Sequence, residues 1–407
     1  MRLVVVLSLL LSLGPIVARQ TLGSNTISIS GAGATFPYGF RLRKRTRRRA
    51  QEACPVFSCR WTVYRKWMEV LSCTRNQNHV QYAYEPTGSS DGKARLVAGS
   101  VHFAGSDSAM SAKEKLASPN AWFVPVLAGG VAVGFNVPGI GATELNLPRE
   151  ALADVFLGKI WQWSGLAPWN SKLAGVEHNI SLVVRSEGSG TTSAFTSALS
   201  SFSAEWKASV GSTELPHWPT AASKREGNSG VALGIRLTPY SLGYLNVAEA
   251  ITFGVTFARI ANAAGQYIAP TLASVQAATN AFGPKFEALA RNGSTNFYVD
   301  TVDPPGVPEA YPISTFSYLA FDPSRLDCDA LSDVMYMVYW AWTDKKAAEI
   351  GVNHEFATIS TGLRSALRTA FRAIECRKDP IAKINNLLLH VEHLYKPAII
   401  GGGATFP

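Results

Sequence analysis

Val183-Val184-Arg185-Ser186-Glu187-Gly188-Ser189-Gly190-Thr191-Thr192 sets a fixed cation, small hydroxyls and two glycines where an apolar strand hands over to a helix. A strand that turns straight into a helix is the repeating step of layered α/β folds, so the stretch bears on architecture as well as chemistry. A helix start leaves backbone N–H groups without intrahelical partners, and the macrodipole favours negative charge there. Glycines let that backbone approach a ligand closely, and Arg185 can fork two donors onto a tetrahedral oxyanion. An ordinary capped loop uses the same residue types, so this stretch alone leaves both readings open.

Further strands and helices lie around it. Residues 27–33, 80–84, 101–104 and 131–136 read as apolar strands. Helical periodicity marks residues 147–157, 192–199, 332–350 and 360–374. The alternation predicts α/β layers with mainly parallel sheets. The stretches 122–125 and 304–312 read as crossings between lobes, which would build one lobe from both chain ends and the other from the middle.

Composition narrows the functional classes. The chain has 407 residues, is 47% hydrophobic and only 16% charged, which fits a globular, exported protein. Residues 1–18 have the charged start, apolar run and small-residue exit of a signal peptide. That run is too short to span a bilayer, and no later segment is apolar enough to do so. The net charge of +9 is concentrated in an insertion at residues 39–61, where eight Lys and Arg face Glu52 alone. Such a local concentration argues against a nucleic-acid-binding body. The five cysteines show no zinc spacing, and a disulfide between Cys328 and Cys376 is left open. No cofactor or metal is expected.

Two more turns precede helix candidates. They are Gly31-Ala32-Gly33-Ala34-Thr35-Phe36 and Thr87-Gly88-Ser89-Ser90-Asp91-Gly92, with Thr35 and Ser89 as candidate donors. An N-cap serine serves its own helix in the same way, so one such turn means little. Three of them, with Arg185 beside one and Ser189, Gly190 and Thr191 in it, point to a buried anion site. Asp107, in Phe103-Ala104-Gly105-Ser106-Asp107-Ser108, suits an oxyanion that carries a proton: it accepts an O–H from phosphate but repels sulfate.

These motifs together resemble the phosphate-binding subunit of bacterial phosphate ABC importers, within the periplasmic-binding-protein-like family. The likeness runs over residues 26–395 and includes Gly88-Ser89-Ser90, Ala104-Gly105-Ser106-Asp107 and Gly188-Ser189-Gly190-Thr191. It continues through Leu157-Gly158-Lys159-Ile160-Trp161-Gln162-Trp163, Gly227-Asn228-Ser229-Gly230 and Leu242-Gly243-Tyr244. The resemblance implies two α/β lobes joined by hinge strands: residues 26–123 with 310–396 as one, 124–309 as the other. It implies a phosphate held by Thr35, Phe36, Ser89, Asp107, Arg185, Ser189, Gly190 and Thr191, with Glu187 orienting Arg185 where the family usually has aspartate. The basic insertion, which separates Thr35 and Phe36 from the next helix, departs from the family pattern.

A monomeric, non-catalytic phosphate-binding protein is therefore expected, serving a membrane permease. The alternatives are a phosphate-sensing domain of a receptor, and a secreted serine hydrolase suggested by Gly88-Ser89-Ser90-Asp91-Gly92. Seven of nine positions in residues 29–37 recur at 399–407, which reads as the start of a truncated second copy.

Overall fold

A computed structural model describes residues 27–35, 38–39, 61–74, 80–142 and 144–376. The signal peptide expected at residues 1–18, Phe36, the interior of the basic insertion and the recurrence at 399–407 lie outside the described residues.

A ten-stranded mixed sheet organises the described residues. In chain order its strands are β1 (Ile27–Gly33), β2 (Val80–Pro86), β3 (Phe103–Ser106), β4 (Trp122–Asn136) and β5 (Ser181–Arg185). They continue with β6 (Ala222–Arg225), β7 (Ser241–Asn246), β8 (Thr256–Phe257), β9 (Ser314–Phe321) and β10 (Ala357–Thr358). Across the sheet the order is β2-β1-β3-β9-β4-β7-β5-β6, with β8 and β10 also pairing to β4. Pairing is parallel on both flanks, β2-β1-β3 and β7-β5-β6, as the strand–helix alternation predicts. Around β4 and β9 it is antiparallel.

β4 joins the two flanks. Residues 122–130 pair with β9, and residues 131–136 pair with β7. Its run WFVPVLAGGVAVGFN is buried along almost its whole length, as a strand covered on both faces must be. Gly130 sits at the change of partner, where a Cβ would come within 3.1–3.3 Å of Val275, Pro270 and Val247 side chains. The β4–β9 register slips between Ser317 and Tyr318, opposite Pro125 and Leu127. Proline removes a ladder donor, and a bulge is where a strand interior tolerates it.

Helices that matter to the site are α1 (Val63–Thr74), α2 (Ser89–Ala98), α3 (Gly190–Phe202), α4 (Gly227–Leu237) and α5 (Val247–Phe253). The helical pattern at 332–350 resolves into two helices, Cys328–Thr343 and Lys345–Val352. Asp344 separates them in extended backbone, and its carboxylate accepts from Lys346 and Ala347 N–H to cap the second. A disulfide joins Cys328 to Cys376, with Cα atoms 5.5 Å apart. It fastens the start of the longer helix to the segment after Thr361–Phe371.

The basic insertion has a defined base. Tyr38 pairs with Thr62 and Gly39 with Trp61, antiparallel, so the chain enters and leaves the insertion side by side.

Candidate functional site

Three β-to-α handovers bring their ends together. β1 ends at Gly33, whose carbonyl accepts N–H bonds from Thr87 at 2.9 Å and Gly88 at 2.8 Å. Ala34 N–H in turn reaches Gly105 O at 2.8 Å, so the Thr35 turn is fastened to both neighbouring strands. This approach requires glycine: a Cβ on Gly33 would lie 2.0 Å from Gly105 O, and its φ is +138°. Thr35, Ser89 and Asp107, at the ends of these strands, are all buried.

The partner turn follows β5. Gly190 opens α3, and Ser189 accepts from Thr192 N–H at 3.3 Å, capping that helix as an ordinary N-cap serine does. Ser89 Oγ bridges the two flanks of the sheet, accepting N–H from Asp107 and from Gly190 at 3.2 Å each. The contact is tight, since a Cβ on Gly190 would lie 2.5 Å from Ser89 Oγ and 2.7 Å from Asp107 Cβ.

Arg185 ends β5 and is only 2% exposed. Its Nε donates to Glu187 Oε1 at 2.8 Å, Nη2 donates to the same oxygen, and Nη1 reaches Thr191 Oγ1 at 3.3 Å. Glu187 also accepts Gly227 N–H at 3.1 Å. Burial alone would raise the Glu187 carboxyl, but the Arg185 charge and these hydrogen bonds hold it below its ordinary range. A buried guanidinium is tolerable with such partners, and Glu187 provides the charge.

Asp107 is 1% exposed, and burial pushes its carboxyl up to about 7. The Ser317 hydroxyl, donating to Oδ1 at 2.6 Å, and the Arg185 charge oppose that rise, while Glu214 adds to it. Ser317 is held from behind by Tyr64, whose OH lies 2.9 Å from Ser317 Oγ. The slip in the β4–β9 register falls at this serine.

Two residues that sequence reasoning passed over join the cluster. Asn228, in the first turn of α4, donates Nδ2 to both Thr35 Oγ1 and Thr191 Oγ1 at 3.3 Å. Ser317 is the other, and no local motif marks it. The structure thus brings Thr35, Ser89, Asp107, Arg185, Ser189, Gly190 and Thr191 into one buried cluster, with Glu187 at its edge. Phe36 is outside the described residues. The serine-hydrolase reading fails here, because Ser90 Oγ donates to Glu214 Oε2 at 2.6 Å and not to a histidine. No group of three or more metal-ligating side chains occurs among the described residues.

Comparison with known proteins places this geometry among relatives. Residues 62–338 match the PBP superfamily domain. The phosphate-binding protein PstS of Pasteurella multocida is 31% identical over 325 residues, covering 79% of this chain and 83% of that protein. Its counterpart in Haemophilus influenzae is 33% identical over 255 residues, covering 62% and 68%. Among solved structures, the phosphate binding protein of Stenotrophomonas maltophilia shares the fold at TM-score 0.58 and 19% identity, covering 84% of this chain and 93% of that one. A putative phosphate ABC transporter substrate-binding protein from Clostridium perfringens, with bound phosphate, does so at 0.54 and 15%, covering 82% and 100%.

Proposed function

This chain belongs to the PBP superfamily and, within it, to the family of the PstS phosphate-binding proteins, and from that premise we propose that it captures inorganic phosphate without transforming it. The observation that carries this reading is the join at Ser89 Oγ, where N–H groups from both flanks of the sheet meet beside a buried acid and a buried guanidinium. Such an arrangement suits a small oxyanion removed from water.

In the proposed complex, Arg185 supplies the fixed charge, and N–H groups at the starts of α2 and α3 meet the phosphate oxygens. Thr35, Phe36, Ser89, Ser189, Gly190 and Thr191 complete the shell, while Glu187 and Asn228 orient it. Asp107 accepts the O–H that phosphate retains near neutral pH. In the closed arrangement these donors and acceptors satisfy one another, so capture exchanges internal hydrogen bonds for bonds to the ion. That exchange requires the two flanks to part and close again, which the partner change within β4 allows.

We assign residues 26–123 with 310–396 to one lobe and 124–309 to the other. Export through the segment 1–18 and delivery of the ion to a membrane permease complete the reading. The recurrence of residues 29–37 at 399–407 favours one alternative, a repeated binding unit that feeds a receptor. A complete reading frame carrying a membrane span and a signalling domain would establish that alternative.

Equilibrium dialysis with radiolabelled phosphate tests the proposal. One ion per chain, recovered unchanged, is expected. Absence of saturable binding, or turnover of a phosphate or carboxylate ester that Ser90→Ala abolishes, contradicts it.

A further inference from the structure

Glu214 lies in the loop between the helix Ala204–Ser209 and β6, on the same flank of the sheet as Arg185 and Gly190. Its backbone carbonyl accepts Ser189 N–H at 3.1 Å, which ties the loop to the turn that opens α3. Its side chain is bonded to the opposite flank. Oε2 accepts from Ser90 Oγ at 2.6 Å, while Oε1 accepts from Ser108 Oγ and meets Lys93 Nζ at 3.0 Å. Ser90 and Lys93 belong to the first turns of α2, and Ser108 follows Asp107.

One carboxylate therefore gathers three side chains across the join, beside the cluster that holds Ser89 and Asp107. Lys93 is 1% exposed and has further partners on its own flank: Ala109 O at 2.7 Å, Ser108 Oγ at 3.3 Å and Glu114 at 3.6 Å. Its charge stays compensated when the flanks part. Glu214 has 22% of its side chain exposed, so water can take over its bonds on opening. Both ends of the contact thus have an alternative when open, and the Glu214 bonds exist only when closed. A contact made only in the closed state biases a two-state equilibrium toward closure.

We propose that Glu214 is the latch of the binding cleft, a positioning residue that sets how long the captured ion stays. It does not touch the ion. The inference rests on the proposed phosphate-binding function and adds a residue that determines residence time.

Two variants and two readouts test it. Stopped-flow displacement of phosphate from Glu214→Ala is expected to show dissociation faster by about 10- to 100-fold, with association changed by less than about threefold. Glu214→Gln keeps one acceptor oxygen, enough for one of the two serines, but loses the other acceptance and the ion pair with Lys93, so its dissociation rate falls between wild type and Glu214→Ala. Small-angle scattering of the ligand-free proteins is expected to give a larger radius of gyration for Glu214→Ala, at an unchanged melting temperature. Wild-type dissociation rates in both variants, or losses confined to association, overturn the latch. If wild type does not bind phosphate, the functional reading falls instead. The scattering arm then decides the latch alone: a wild-type radius for Glu214→Ala overturns it.

Discussion

Ser317 donates its hydroxyl to Asp107 Oδ1 at 2.6 Å, joining two buried residues 210 positions apart in the chain. The bond fixes the carboxyl plane and partly offsets the burial that drives Asp107 up to about 7. In the proposed complex the carboxylate accepts a proton-bearing oxygen above that pH. Below it the neutral acid donates, and sulfate is no longer repelled. The preference for phosphate over sulfate is therefore expected to be largest above pH 7 and to shrink toward pH 5. Ser317→Ala removes the opposing hydrogen bond and moves this transition to higher pH. Competition dialysis between pH 5 and 9 checks both; a pH-independent ratio in wild type contradicts the role given to Asp107.

Gly190→Ala tests how closely the flanks must meet. Its new Cβ would fall 2.5 Å from Ser89 Oγ and 2.7 Å from Asp107 Cβ, inside the contact distance of any real side chain. Both contacts lie on the flank opposite Gly190, so the expected damage is to closure and not to either half alone. Phosphate affinity falls at least about 100-fold (roughly 3 kcal/mol), while circular dichroism and cooperative unfolding remain. Wild-type affinity in this variant would contradict the close approach.

Glu249, in α5, is 0% exposed, and neither carboxylate oxygen finds a hydrogen-bond partner of good geometry among the described residues. Burial pushes its carboxyl up to about 8, against the pull of the Ser229 hydroxyl and the Arg185 charge. The folded state keeps this proton at pH values where the unfolded chain has released it. Stability is therefore lost as pH rises from the ordinary carboxylate range through 8, by on the order of 5 kcal/mol in full. Glu249→Met removes the penalty. Thermal unfolding is expected to show a larger gain in melting temperature at pH 8 than at pH 5; equal gains would refute the assignment.

The pairing of Tyr38 with Thr62 and Gly39 with Trp61 means the insertion can be bypassed. Replacing residues 40–60 by Asn-Gly supplies a two-residue hairpin turn between strands that already face each other. A shorter closure stabilises the fold by about 1–2 kcal/mol. Denaturant unfolding of the replacement is expected to show equal or greater stability; loss of soluble protein would mean the segment is structural.

The parts of the site written in local turn chemistry were legible in the sequence. Gly188, Ser189, Gly190 and Thr191 follow a strand directly, and Ser89 and Asp107 sit at equivalent handovers, so each announces itself within a few residues. Ser317 and Asn228 do not. Ser317 is one serine inside a buried strand, and only the register of β9 against β4 brings it near Asp107. Asn228 stands in a Gly-Asn-Ser-Gly turn with the composition of the other helix starts, which was the available signal. Its partner Thr35 is 193 positions away, a relation fixed by closure of the two flanks. The α/β layering was legible from periodicity, whereas the antiparallel centre was not, because a doubly buried strand such as β4 has no alternation to show its partner's direction. The break at Asp344 was hidden by apolar residues that keep helical spacing on both sides of it.

Calorimetric titration of the purified chain with phosphate and with sulfate at pH 8, repeated on Asp107→Asn, tests the central claim most directly. A single phosphate is expected to bind wild type at least about 1,000-fold more tightly than sulfate (roughly 4 kcal/mol), with the gap narrowed in Asp107→Asn. Equal affinity of wild type for the two ions would contradict a buried acid that recognises the proton on the ligand.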